Sequence, residues 1–246
     1  MQTASAIPTG LTAGGSVSGL GSGKTVVLNL KINNSTTSSK IIYANGAYTF
    51  SASLATGNTY TTSVGIQPSG QICSISNANG TVSSSSINNI DVVCVNAYTL
   101  GGTLSGLAAG TSVVIRMNTA TKAINTNGAF SFASLVLPGS PYMVSIGIQP
   151  AGQKCTVSNG TGTMPSSNVT NVSISCVPTY TVSGTAPAAG LSGLNATNCV
   201  TLQLNGTGSK LVCANGSFSF ASGLTNGQSY SVTVIGQPTG QECTPS

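Results

Sequence analysis

The chain has 246 residues, yet only seven are Lys or Arg and two are Asp or Glu, and it contains no His and no Trp. About a quarter of an ordinary soluble domain is charged. With Asp91 and Glu242 as the only acids, paired-carboxylate chemistry, Ser-His-Asp or Cys-His catalysis, His-containing zinc sites and carboxylate cages for hard cations are all excluded, and neither an enzyme nor a cofactor is expected.

The first segment, Met1, Gln2, Thr3, Ala4, Ser5, Ala6 and Ile7, precedes Pro8, and residues 1–11 read as an N-terminal strand or linker. Met1 is not followed by a basic region and an apolar stretch, so no signal peptide is visible, and no run of 18 apolar residues predicts a membrane span. Gly19-Leu20-Gly21-Ser22-Gly23-Lys24-Thr25 superficially matches a phosphate loop. Ser18 stands at the first-Gly position, however, and a strand rather than a helix follows.

Thr25–Leu30 is rich in β-branched residues and reads as a strand. Asn45-Gly46 reads as a tight hairpin turn leading into Tyr48 and Phe50, which alternate onto one face. Gly57 precedes Tyr60 by three residues, and Gln67-Pro68-Ser69-Gly70-Gln71 reads as a turn with Pro at its second position.

Each of these features returns in the same order. The aromatic pair recurs as Phe130 and Phe132 behind Asn127-Gly128, and as Phe218 and Phe220 behind Asn215-Gly216. The Gly–Tyr spacing recurs at Gly139 and Tyr142 and at Gly227 and Tyr230; the Gln-Pro-x-Gly-Gln motif recurs at Gln149–Gln153 and Gln237–Gln241. Its prolines, Pro68, Pro150 and Pro238, give periods of 82 and 88, too long for a solenoid unit and suited to small domains. The predicted organisation is repeat one at 12–97, repeat two at 98–179 and repeat three at 180–246, with Val169–Cys176 as the last strand of repeat two and almost no linker at the junctions, an arrangement favouring a stiff rod. Seven or so short strands per repeat with no helical periodicity predict an all-β chain of tandem β-sandwiches.

The strand, Asn-Gly-x-aromatic-x-Phe, Gly loop and Tyr-x-Val-x-Val order resembles carboxypeptidase-regulatory-like (prealbumin-like) and Cna-B-like sandwiches, and is similar to tandem Ig-like repeats of bacterial surface proteins. Asn45, Asn127 and Asn215 stand where those families commonly have Asp. The resemblance covers the middle of each repeat. It implies a surface role and raises a Lys–Asn isopeptide bond, for which Lys24 and several Asn could serve. The promoting acid is missing from repeat two, and from repeat three up to Glu242, so none is expected.

Cys73 and Cys94 are as far apart as Cys155 and Cys176, which predicts one disulfide in each of the first two repeats. Cys199 and Cys213 flank Asn205-Gly206-Thr207-Gly208 and should staple a hairpin in the third. Cys243 is then unpaired or intermolecular, because its partner would lie at a position 264, so repeat three is expected to lack its final strand. Two explanations stand: a segment of a longer array, or completion by another copy. Ile7-Pro8-Thr9 matches Val177-Pro178-Thr179, which makes Met1 to Ile7 a candidate donor strand for head-to-tail addition, although Ala6 falls where Cys176 sits.

Asn-x-Ser/Thr triplets begin at Asn33, Asn34, Asn79, Asn159, Asn168, Asn171, Asn195, Asn205 and Asn215, as chance allows in so polar a chain. Lys24, Lys31, Lys40, Arg116, Lys122, Lys154 and Lys210 are scattered, so nucleic acid is not an expected partner. The reading is an extracellular or cell-surface structural segment of a bacterial fibre or stalk, stapled by disulfides, that self-associates or joins neighbouring repeats. An adhesin recognising glycan or host protein is the alternative. Scarcity of charge on a Ser-, Thr-, Asn- and Gly-rich surface suits close packing of copies.

Overall fold

The computed structural model describes residues 10–186 and 194–245. The candidate donor strand Met1–Ile7 lies outside them. The described residues contain strands and turns but no helix, so no helix is long and apolar enough to cross a membrane.

The first eight strands are β1 (Gly14–Ser18), β2 (Val26–Ile32), β3 (Thr36–Ile42), β4 (Gly46–Thr49), β5 (Thr59–Ile66), β6 (Gln71–Ile75), β7 (Asn79–Thr81) and β8 (Val92–Asn96). Next come β9 (Leu100–Ser105), β10 (Val113–Met117), β11 (Ala120–Ile124), β12 (Gly128–Ser131), β13 (Pro141–Ile148), β14 (Gln153–Ser158), β15 (Thr161–Thr163) and β16 (Val169–Ala186). The chain continues with β17 (Val200–Leu204), β18 (Gly208–Val212), β19 (Gly216–Thr225) and β20 (Val232–Gly236).

These residues fall into two compact units. One takes in residues 10–102, Ser131–Met143 and Thr161–Asn171; the other takes in Thr103–Phe130, Val144–Gly160 and the described residues from Val172 onward. The strands of sequence repeat two are apportioned between them.

In the first unit, β4-β1-β8-β6 forms one sheet and β3-β2-β5-β7 a second. Period-two alternation explains both. In β2, Val26, Leu28, Leu30 and Ile32 turn inward and are buried, while Lys31 is exposed on the other face. Those side chains meet Val17, Tyr48, Phe50, Ile90 and Val92 from the facing sheet in a single apolar core, which makes this a β-sandwich. Tyr48 and Phe50 pack edge to face, with ring centroids 5.6 Å apart. β1 pairs with β8 in parallel, Val17 opposite Val92, so an early strand lies beside a late one.

The same strand order returns as β12-β9-β16-β14 and β11-β10-β13-β15. Leu100, Leu104, Val113, Ile115, Val172 and Ile174 are buried at the corresponding places. Among the later strands, β18-β17-β20 matches β3-β2-β5, and β19 pairs with β16 as β4 pairs with β1. Val200, Leu202, Leu204, Val212 and Phe220 form their own core.

Three local expectations are corrected. Asn45-Gly46 is not a hairpin turn: β3 and β4 belong to different sheets, and the dipeptide carries the chain across from one to the other, with Gly46 at φ 126°. The hairpin turns with left-handed residues lie elsewhere, at Asn33-Asn34 and at Asn205-Gly206. In the Gln-Pro-x-Gly-Gln turn, Gln71 N–H donates to the Pro68 carbonyl (3.1 Å), so Pro is first and Gly70, at φ 67°, is third. Finally, the strand expected to end at Cys176 runs on to Ala186 as the 18-residue β16. Its first part pairs with β14 (Cys155 opposite Cys176) and its second part with β19 (Thr185 opposite Ser217), both within the second unit.

Candidate functional site

The repeated motif residues position the cysteines. Gln67 clamps the backbone of Cys73: Cys73 N–H donates to Gln67 Oε1 (2.7 Å), and Gln67 Nε2 donates to the Cys73 carbonyl (3.1 Å). Gln149 does the same to Cys155 (2.7 and 3.0 Å), and Gln237 to Cys243 (2.8 and 3.0 Å). β6 and β14 are edge strands, so the amide satisfies backbone groups that would otherwise face outward and invite pairing.

The second Gln of the motif points the other way. Gln71 is buried; its Oε1 accepts from Gly21 N–H (3.0 Å) and its Nε2 donates to the Gly19 carbonyl (2.9 Å). Gln153 repeats this with Ala108 N–H (2.9 Å) and the Gly106 carbonyl (2.7 Å). Asn45 and Asn127 clamp Leu20 and Leu107 through both backbone groups, at 2.8 and 2.9 Å and at 2.9 and 2.9 Å. The sequence shows these residues as fixed motif positions. Their partners lie 20 to 52 residues away, and no local pattern names them.

Three disulfides are formed: Cys73–Cys94, Cys155–Cys176 and Cys199–Cys213. The first two are directly opposed cross-strand pairs, β6 to β8 and β14 to β16. The third joins the open ends of the β17–β18 hairpin, just outside Val200 opposite Val212. Cys243 is a free, half-buried thiol.

That thiol lines a cavity of about 440 Å³ in the second unit, together with Val182, Gly184, Leu202, Phe220 and Val234. In the first unit the corresponding volume is filled by β8, which lies between β1 and β6 and turns Val92 and Cys94 inward. Among the described residues, no strand takes that place beside the second part of β16. A second cavity of about 330 Å³ is lined by Tyr180, Asn226, Gln228 and Tyr230. Tyr230 is 63% exposed, whereas the matching Tyr60 is 7% exposed. Tyr43 and Tyr180 are exposed as well.

Electrostatics are sparse. The Asp91 carboxylate accepts from Ser16 Oγ–H (2.6 Å) and Ser16 N–H (2.9 Å), and these bonds hold it below the usual carboxylate range. Burial, and then the Asp91 charge, push the Tyr48 phenol up to about 12. The Tyr48 hydroxyl donates to the Ile90 carbonyl (2.8 Å). Among the described residues, no three of His, Cys, Asp and Glu stand close enough to hold a metal ion.

No family model matches the chain, and no curated protein matches it. Among solved structures it is similar to a streptococcal ancillary pilin, at 11% identity and TM-score 0.37, covering 96% of this chain and 93% of that one. It is also similar to two B repeat units of the collagen-binding protein of Staphylococcus aureus, at 13% identity and TM-score 0.24, covering 93% and 70%. The pilus adhesin SpaC of Lactobacillus rhamnosus GG matches at 13% identity and TM-score 0.29 over 96% of this chain, which spans 37% of that adhesin. No residue role is transferred from them.

Proposed function

We propose that this chain is a structural segment of an extracellular fibre or surface stalk, built from tandem sandwiches of which each carries a disulfide staple. The observation that carries this reading is β16. One uninterrupted strand serves the sheet of β14 and then pairs with β19, so tension enters the later sheet through the strand that leaves the earlier one. The Cys155–Cys176 bridge lies on that strand and takes the polypeptide between the two cysteines out of the load path. Disulfides of this kind belong in an oxidising compartment, and nine charges in 246 residues leave little like-charge repulsion between packed copies.

Single-molecule extension tests this. In the oxidised chain, the unfolding step of repeat one and that of repeat two should each be shorter than in the reduced chain. The difference is the length of the roughly 20 residues each bridge encloses, about 7 nm at full extension. Equal step lengths in both states would sink the staple role, and absence of extended assemblies from native surface preparations imaged by electron microscopy would sink the fibre reading.

A further inference from the structure

Four features of the residues after Tyr180 surround one place in the fold. The first is the free thiol of Cys243, whose equivalents Cys73 and Cys155 are both bridged to a neighbouring strand. The second is the apolar cavity that the thiol lines. The third is Gly184. It corresponds to Gly15, where a Cβ would overlap the carbonyl of Ile90 at the entrance to β8; at Gly184 a Cβ would meet only the Phe218 ring, at 2.9 Å. The fourth is Tyr230. Its equivalents Tyr60 and Tyr142 lie over Gly80 of β7 and Gly162 of β15, with which they pair, while Tyr230 is uncovered.

A single extended segment accounts for all four. In the first unit the segment from β7 to β8 covers Tyr60, passes Gly15 and ends with Cys94 on Cys73. We infer that the cavity between the second part of β16 and Cys243 is a strand-acceptor site. Its occupant is a polypeptide segment with aliphatic residues at alternate positions followed by Cys, whose thiol forms a disulfide with Cys243. The strand runs parallel to Val182–Ala186, as β8 runs parallel to β1. It runs antiparallel to the Cys243 segment, as β8 does to β6. Gln237 holds the N–H and carbonyl of Cys243 on the outer side. In β6 the alternation then turns Ile72 and Ser74 toward β8, opposite Val95 and Val93; the equivalent residues are Glu242 and Thr244.

The pattern required is that of Val172, Ile174 and Cys176, buried to 0%, 0% and 4% exposure. Met1–Ile7 of a second copy does not supply it. Aligned through Ile7-Pro8-Thr9, it presents Gln2, Ala4 and Ala6 at those positions, too little apolar volume for the cavity and no thiol. Closing the bridge removes two protons and two electrons from the two thiols. A low-molecular-weight disulfide such as oxidised glutathione accepts them and leaves as two thiols.

The site and the fibre reading fail separately, since an acceptor site can exist on a chain that forms no fibre. The test mixes the 246-residue chain, in a glutathione redox buffer, with a peptide of the Val169–Cys176 sequence. The expected result is a one-to-one adduct on Cys243 in non-reducing mass spectrometry, formed at least about tenfold faster than with a scrambled peptide retaining its Cys. Gly184→Val should remove that acceleration while leaving the reaction of Cys243 with a small thiol reagent unchanged. The Cys243→Ser chain should still gain thermal stability from the Val169–Cys176 peptide. Equal rates for native and scrambled peptides would overturn the site, leaving Cys243 a reactive thiol with no strand preference. A peptide of Met1–Ile7 that competes as well as the Cys-bearing strand would overturn the choice of occupant.

Discussion

Asn45 and Gln71 show how this chain manages without charge. Each is an amide with one donor and one acceptor arm, and each grips the backbone of the loop between β1 and β2. An Asp at position 45 could accept from Leu20 N–H but could not donate to its carbonyl. Leu20 is buried, so Asn45→Ala strands two backbone groups away from water. We expect a loss of about 1–3 kcal/mol in urea unfolding, against a change within about 0.5 kcal/mol for the exposed Ser51→Ala; equal losses would refute the clamp. Tyr48 carries a second residue-scale expectation. Its phenol holds its proton more tightly folded than unfolded, so its contribution to stability is present below the ordinary value of 10.0 and is lost as pH rises through about 12. Stability of the first unit should fall across that window, and Tyr48→Phe should flatten the fall. An unchanged slope in the variant would exclude Tyr48 as its source. Asp91 works with the opposite sign, stabilising above its unfolded value and ceasing to do so as acid protonates it.

At the scale of elements, the informative one is β16. Eighteen residues is far beyond the usual five or six of a strand, and the length is explained by its having two partners in succession. The register of its second part is set by its first, because no turn intervenes to reset it. Two glycines inserted after Thr179 should break that transmission. In calorimetry of the oxidised chain, we expect the transition of β17–β20 to separate from that of β14 and to move to lower temperature, while the Cys155–Cys176 bridge still forms. A single unshifted transition would mean that the later sheets are stable without the shared strand. The sequence alternates over Val172–Cys176 and again from Tyr180 to Ala186, with no signal for where the partner changes. The boundary expected at residue 179 rests on a recurrence of motifs, whereas the continuity of the strand through that position depends on which strands lie alongside.

Over the whole molecule, the disulfides and the apolar faces do what ion pairs and helices do elsewhere. The described residues contain no helix, and beyond the hairpins β2–β3, β10–β11 and β17–β18 many strand pairings join segments far apart in sequence. Such long-range pairing is slow to assemble and exposes strand edges while incomplete. The amide clamps at Cys73, Cys155 and Cys243 close one class of edge. The place beside Cys243 has no strand alongside it among the described residues, and there Tyr230 is exposed and Cys243 is unbridged.

The sequence by itself determined the all-β class, the recurrence of the unit and the oddness of Cys243, because alternation, turn residues and cysteine spacing are local or periodic signals. It could not show that Asn45 crosses between sheets, that Gln71 reaches back fifty residues, or that β16 is shared. Each of these is a hydrogen bond between distant segments, and a hydrogen bond leaves no trace in spacing until the fold has brought its two ends together.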